Sequence, residues 1–159
     1  MTKTNIRVLF ICLGNICRSP SAEGVFRQIV DEHSIEYINI DSAGTGSWHI
    51  GNPPDRRAQA AAKERGIDLS GLRARQLQPE DGEKFDYLIA MDRENDRNIK
   101  NCIASEHHHK VHMMLSFLEG SDLIEVPDPY YGGEDGFEHV LDLIEQAGLG
   151  LLHHIRQNH

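Results

Sequence analysis

The chain has 159 residues, 39% of them hydrophobic, with a formal charge of −9 and three cysteines. That length supports one well-buried core, and no linker-like or low-complexity stretch divides it, so a single domain over residues 1–159 is expected. The acidic balance argues against nucleic acid as a partner, because backbone-phosphate binding draws on a broad basic surface.

In chain order, residues 6–11 read as an apolar strand that ends abruptly at Cys12 and a short loop carrying Gly14 and Asn15. Ser19 at the N-cap and Pro20 at the first helical position then open a helix over about 20–33, where Ala22, Val25, Phe26, Ile29 and Val30 recur at helical spacing. A strand feeding a loop that feeds a helix N-terminus aims several backbone N–H groups and a positive dipole end at one point, where an anion belongs. Cys12 lies inside that loop. A thiol beside an arginine and a helix N-terminus ionises readily, which would make Cys12 nucleophilic at neutral pH. Arg18 offers a planar fork for two phosphoryl oxygens, a grip that lysine lacks. The Cys-x5-Arg spacing alone arises easily by accident, so its strand-loop-helix context carries the reading. The alternative is a buried strand-end cysteine with a surface arginine.

Residues 37–42 alternate as a second strand ending at Gly44-Thr45-Gly46, and the alanine-rich residues 54–65 form a helix stopped by Gly66. A third strand is expected at 85–91, a helix at 93–102, a fourth strand at 111–115 and a last helix at 137–156, with a weak point at Gly148 and Gly150. Glu106-His107-His108-His109-Lys110 with His112 has the composition of a metal tract, but consecutive histidines point in different directions, so a solvated loop is expected and no metal. His153, His154 and His159 read as the exposed end of the last helix. No run approaches the roughly 18 apolar residues of a membrane span. Residues 8–13 are too short for a secretory signal, and three cysteines without a Cys-x2-Cys pair suit a reducing compartment. A cytoplasmic protein without a membrane partner follows.

Strands alternating with helices imply a mostly parallel sheet covered on both faces, with a three-layer, flavodoxin-like α/β fold as the simplest arrangement. Ligands in such sheets sit at the carboxyl ends of strands, where Cys12 lies. Far downstream, Pro127-Asp128-Pro129-Tyr130-Tyr131-Gly132-Gly133 sets a carboxylate and two aromatics in a proline- and glycine-shaped loop. Taken alone, Asp128 in an Asp-Pro turn is the simpler reading. Facing the Cys12 loop, it would protonate a leaving oxygen and then, as a carboxylate, deprotonate water.

Taken together, Cys12-Leu13-Gly14-Asn15-Ile16-Cys17-Arg18-Ser19, Asp41-Ser42-Ala43-Gly44-Thr45, Trp48, Arg73-Ala74-Arg75-Gln76 and Asp128-Pro129-Tyr130-Tyr131-Gly132 resemble the low-molecular-weight protein tyrosine phosphatases over nearly the whole chain. The resemblance implies Cys12 as nucleophile, Arg18 as phosphate binder and Asp128 as general acid and base, with a cysteinyl-phosphate intermediate and no cofactor. It also implies a left-handed Asn15, a Ser19 hydroxyl bonded to the sulfur, and Ser42 bracing the loop. Leu13, Gly14, Ile16 and Cys17 would complete the phosphate-binding loop. Trp48, Tyr130 and Tyr131 would wall the cleft; by itself Trp48 reads as a partly buried core residue. Cys17 would pair with Cys12 under oxidation, and Cys102 falls outside the motif as a helix packing residue. Implied partners are phosphotyrosine proteins, with small aryl phosphates as surrogates, for a monomer or weak homodimer. Many relatives carry a histidine just before Arg-Ala-Arg-Gln, whereas here the segment reads Ser70-Gly71-Leu72, so the loop brace must be shorter or replaced.

Three other readings compete. Arsenate reductases share the loop but need a relay of further cysteines, and residues 70–95 hold none. Arginine phosphatases resemble the loop but tend to carry threonine where Ile16 stands and a less aromatic acid loop. A phosphopeptide-binding module or Cys-phosphorylated carrier would not require Asp128.

Overall fold

The computed structural model describes residues 5–131 and 134–159, the side chains of Tyr131, Glu134 and Asp135 excepted. Four strands, β1 (Ile6–Cys12), β2 (Ile38–Gly44), β3 (Tyr87–Ala90) and β4 (Val111–Met113), form one sheet in the order β2-β1-β3-β4. Every pairing is parallel. Among the described residues, five α-helices accompany them: α1 (Arg18–Glu32), α2 (Arg56–Glu64), α3 (Asp81–Lys84), α4 (Arg93–Cys102) and α5 (Glu134–Asn158). This is the three-layer, flavodoxin-like α/β architecture expected from the alternation of strands and helices.

β1 is central and almost wholly buried, as a strand covered on both faces must be. Its residues divide by parity. Val8, Phe10 and Cys12 join a cluster with Val25 and Phe26 of α1, Ala58 and Ala62 of α2, and Ile144 and Leu151 of α5. Phe10 and Phe26 meet edge to face, their centroids 5.6 Å apart. Leu9 and Ile11 point the other way, into a cluster with Leu77, Phe85, Ile99 and Ile103 beside α4. Because β2 lies on one side of β1 and β3 on the other, the chain reverses its winding at the carboxyl end of β1. That switch point opens a crevice for ligands, and the loop 13–17 sits in it.

Several local expectations are corrected. Helix α1 starts with Cys17 at its N-cap and Arg18 as its first residue, so Ser19 and Pro20 are the second and third residues of its first turn. Proline remains tolerable there because first-turn N–H groups have no intrahelical acceptor. The weak point expected at Gly148 and Gly150 is absent: α5 is continuous, and both glycines mark close approaches instead. A Cβ on Gly150 would fall 1.9 Å from the Phe117 carbonyl oxygen, and one on Gly148 2.9 Å from Ile29 Cδ1. The fourth strand stops at Met113 because residues Met114–Phe117 turn into a 3-10 helix. Residues Ser105–Lys110, expected as loop, also form a 3-10 helix. The C-terminal histidines are not all solvent-facing: His154 packs its ring 5.3 Å from that of Phe117, and His159 shares a 2.8 Å hydrogen bond with the Tyr87 hydroxyl. Among the described residues, no helix is long and apolar enough to cross a membrane, and no three His, Cys, Asp or Glu side chains are arranged to hold a metal ion.

Candidate active site

β1 ends on Cys12, whose sulfur lies at the bottom of the loop 13–17, 3% exposed as a residue. Two polar groups approach it. The Asn15 backbone N–H points at Sγ at 3.3 Å, and the Ser19 Oγ lies 3.0 Å away. Asn15 adopts φ +57°, the left-handed conformation that asparagine tolerates better than most residues. Gly44, the last residue of β2, lets the loop come close: a Cβ there would meet Leu13 O at 2.8 Å and Asn15 N at 3.1 Å. The N-terminus of α1 has no side-chain cap and no acidic residue in its first turn, which leaves its amides available to an anion.

The loop is braced by a chain of buried polar groups. Asn15 Nδ2 donates to Ser19 Oγ at 2.8 Å and to Ser42 Oγ at 3.0 Å, while Asn15 Oδ1 accepts from the Arg75 backbone N–H at 3.0 Å. Ser42 Oγ donates onward to Glu23 Oε1 at 2.7 Å, and Arg27 neutralises that buried carboxylate at 2.7 Å. Leu72, standing near the position where many relatives carry a histidine, packs against the hydrophobic core. The brace therefore runs from Asn15 through Ser42 to the Glu23–Arg27 pair.

Arg18 is buried, contrary to the surface alternative. Its Nη1 donates to Asp92 Oδ2 at 2.7 Å and to the Val126 carbonyl at 3.0 Å, and its Nη2 stands 3.7 Å from Asp128 Oδ2. Burial works against the guanidinium charge, but Cys12, Asp92 and Asp128 outweigh it and hold its pKa above the ordinary arginine value. Asp92 also caps α4, accepting from the Asn95 N–H at 2.7 Å. Sequence reasoning passed over Asp92, although an Asp two residues past a strand at the sheet's carboxyl edge carried the signal. For the Cys17 thiol, burial foremost, then Asp55, Cys12 and Asp128, raise the pKa well above the ordinary value, so this second cysteine stays protonated.

Asp128 Oδ1 accepts from the Tyr130 N–H at 3.0 Å, an Asx turn that leaves Oδ2 on the Arg18 side. The turn reading and the functional one are thus compatible. Arg57 ties this loop to the other: its Nη2 donates to the Tyr130 carbonyl at 3.1 Å, and it pairs with Asp55, whose own N–H donates to Ile16 O at 2.8 Å. A cleft of about 260 Å³ lies between them, lined by Cys12, Leu13, Gly14, Ile16, Cys17, Arg18, Trp48, His49, Asp128 and Tyr130. Trp48, 72% exposed, is a rim residue and not a core one. His49, unforeseen in the sequence, faces Gly14, where a Cβ would meet its ring at 3.0 Å. Ser19, Asn15 and Ser42 stand behind the loop; the Tyr131 side chain lies outside the described residues.

A parallel α/β sheet with an anion-receptive loop at its switch point defines a phosphate-handling protein of the three-layer class. The sequence model of the low molecular weight phosphotyrosine protein phosphatases matches residues 7–159, and the chain belongs to that family. The low molecular weight protein-tyrosine-phosphatase YfkJ of Bacillus subtilis is 44% identical over 153 residues, covering 96% of this chain and 97% of that one, and its crystal structure superposes with a TM-score of 0.93. A protein tyrosine phosphatase structure from Entamoeba histolytica matches with a TM-score of 0.93 at 37% identity, covering 97% of this chain and 99% of the other. The fold is shared more widely: a Drosophila arginine phosphatase matches with a TM-score of 0.85 at 28% identity, over 94% of this chain and 97% of its own.

Proposed function

We propose that this chain is a protein tyrosine phosphatase that hydrolyses phosphotyrosine monoesters through a cysteinyl phosphate on Cys12. The convergence of the Cys12 sulfur, the Arg18 guanidinium and the Asp128 carboxylate on one aromatic-rimmed cleft is the observation that carries this reading. With Nη1 tethered to Asp92 and Val126, the Nε–Nη2 edge of Arg18 is the fork for two phosphoryl oxygens. The Cys12 sulfur attacks phosphorus as the bond to the tyrosine oxygen breaks, and Asp128 Oδ2 gives that oxygen its proton. Water then attacks phosphorus, Asp128 takes its proton, and Cys12 leaves as a thiolate met by the Ser19 hydroxyl and the Asn15 N–H. Trp48 and Tyr130 flank the aryl ring. Such a site also accepts small aryl phosphates. It acts as one catalytic domain over residues 1–159, in the cytoplasm, as a monomer or weak homodimer.

Ile16 and the aromatic rim favour phosphotyrosine over phosphoarginine. A thiol relay for arsenate reduction has no cysteine in residues 70–95 to draw on, and Cys102 lies in α4, partly buried and packed against the core cluster of Leu9 and Ile11. Asp128→Ala tests the enzyme against a binding module: turnover of a phosphotyrosyl peptide should fall about 10²–10⁴-fold while binding of inorganic phosphate persists. Unchanged turnover would remove Asp128 from the mechanism. Cys17 also has a protective role in this account. Once peroxide converts Cys12 to a sulfenic acid, the Cys17 sulfur displaces water to form a disulfide before further oxidation. Mass mapping after mild peroxide should find the Cys12–Cys17 crosslink; Cys12 sulfinic acid without it would contradict this.

A further inference from the structure

Across Trp48 from the catalytic cleft lies a second groove of about 420 Å³, lined by Leu13, Thr45, Trp48, Gln76, Asn98 and Asn101. Leu13 and Trp48 line both, so the two spaces adjoin at that residue pair. The Trp48 ring rests on Gly46, where a Cβ would run into Trp48 Cζ3, and it borders both spaces.

The chemistry of the second groove differs from that of the first. No charged side chain lines it, so nothing there would hold a second phosphate. It presents side-chain amides and the Cys102 thiol. Thr45 Oγ1 is buried without a hydrogen-bond partner among the described residues. Asn98 and Asn101 stand three residues apart, on one face of α4. Neither side chain has a hydrogen bond to another described residue. An amide offers both a donor and an acceptor, which is what an extended peptide backbone needs from its neighbour. The helix that carries these two asparagines is the one whose cap, Asp92, holds Arg18. A single rigid element thus fixes both the phosphate grip and the groove.

We propose that this groove is a substrate subsite that takes the main chain of the peptide flanking the phosphotyrosine, with Asn98 and Asn101 as the residues that favour peptide over free aryl phosphate. The inference rests on the phosphotyrosine reading above. Asn98→Ala, Asn101→Ala and the double variant test it, assayed on a phosphotyrosyl hexapeptide and on p-nitrophenyl phosphate. Each single variant should lose about fivefold in kcat/KM on the peptide, through KM, with the aryl phosphate rate unchanged. Equal losses on both substrates, or none on the peptide in the double variant, would overturn the subsite and leave the activity reading intact. Failure of the parent chain to hydrolyse either substrate would overturn both.

Discussion

Arg18 is a cation almost completely withdrawn from water, and such a charge is tolerable only while its partners stay in place. Asp92 is the shortest of them, at 2.7 Å, and it serves two structures at once by capping α4. The two duties separate by substitution. Asp92→Asn keeps a capping oxygen but removes the counter-charge; because the carboxylate is 21% exposed, the stability loss should be modest, about 1–3 kcal/mol. The guanidinium loses its fixed orientation, so kcat/KM on an aryl phosphate should fall by about ten- to a hundredfold. Asp92→Ala should cost about 1 kcal/mol more by losing the cap. Urea midpoints and steady-state rates check both, and an Asp92→Asn enzyme with parental kinetics would show that the Asp92 charge does not position Arg18. Ser19 teaches a related lesson about reading side chains from local pattern. Ser-Pro fits an N-cap and first turn, yet the Ser19 hydroxyl is drawn to Cys12 and Asn15, and the helix begins two residues earlier.

At the scale of elements, long periodic segments were legible and short ones were not. β1 and α1 follow from apolar periodicity, whereas α3 has only four residues, too few to show a period. The glycines of α5 expose the limit most clearly. In sequence they look like helix weaknesses; in the fold, Gly150 is where α5 passes the backbone at Phe117, and Gly148 only meets the end of the Ile29 side chain. Their alanine variants should therefore diverge. Both gain about 1 kcal/mol of helix propensity. Gly150→Ala drives a methyl against a carbonyl that cannot swing away, and should be destabilising by about 1–3 kcal/mol overall. Gly148→Ala needs only a rotamer adjustment and should stay within about 1 kcal/mol of the parent. Thermal unfolding of the two variants measures this, and equal effects would mean that α5 does not pass Phe117 as closely as described.

Over the whole molecule, the site was readable where its parts are contiguous and hidden where they meet only through the fold. The run from Cys12 to Ser19 announces itself within eight residues, and the Asp128 loop joins it by resemblance. Glu23 and Arg57 have no local signature, because each acts across a packing boundary, Glu23 behind Ser42 and Arg57 between the two loops; Asp92 under Arg18 and Arg75 on Asn15 show their roles only once the fold brings them there. What unites these contacts is a cleft in which one sulfur must do the chemistry. The most direct test is phosphate release from matched phosphotyrosine and phosphoarginine peptides, with EDTA present, comparing the parent chain with Cys12→Ser. The account predicts release from phosphotyrosine that falls by about 10⁴-fold or more without the sulfur. Preferential release from phosphoarginine, or phosphotyrosine turnover that survives Cys12→Ser, would contradict it.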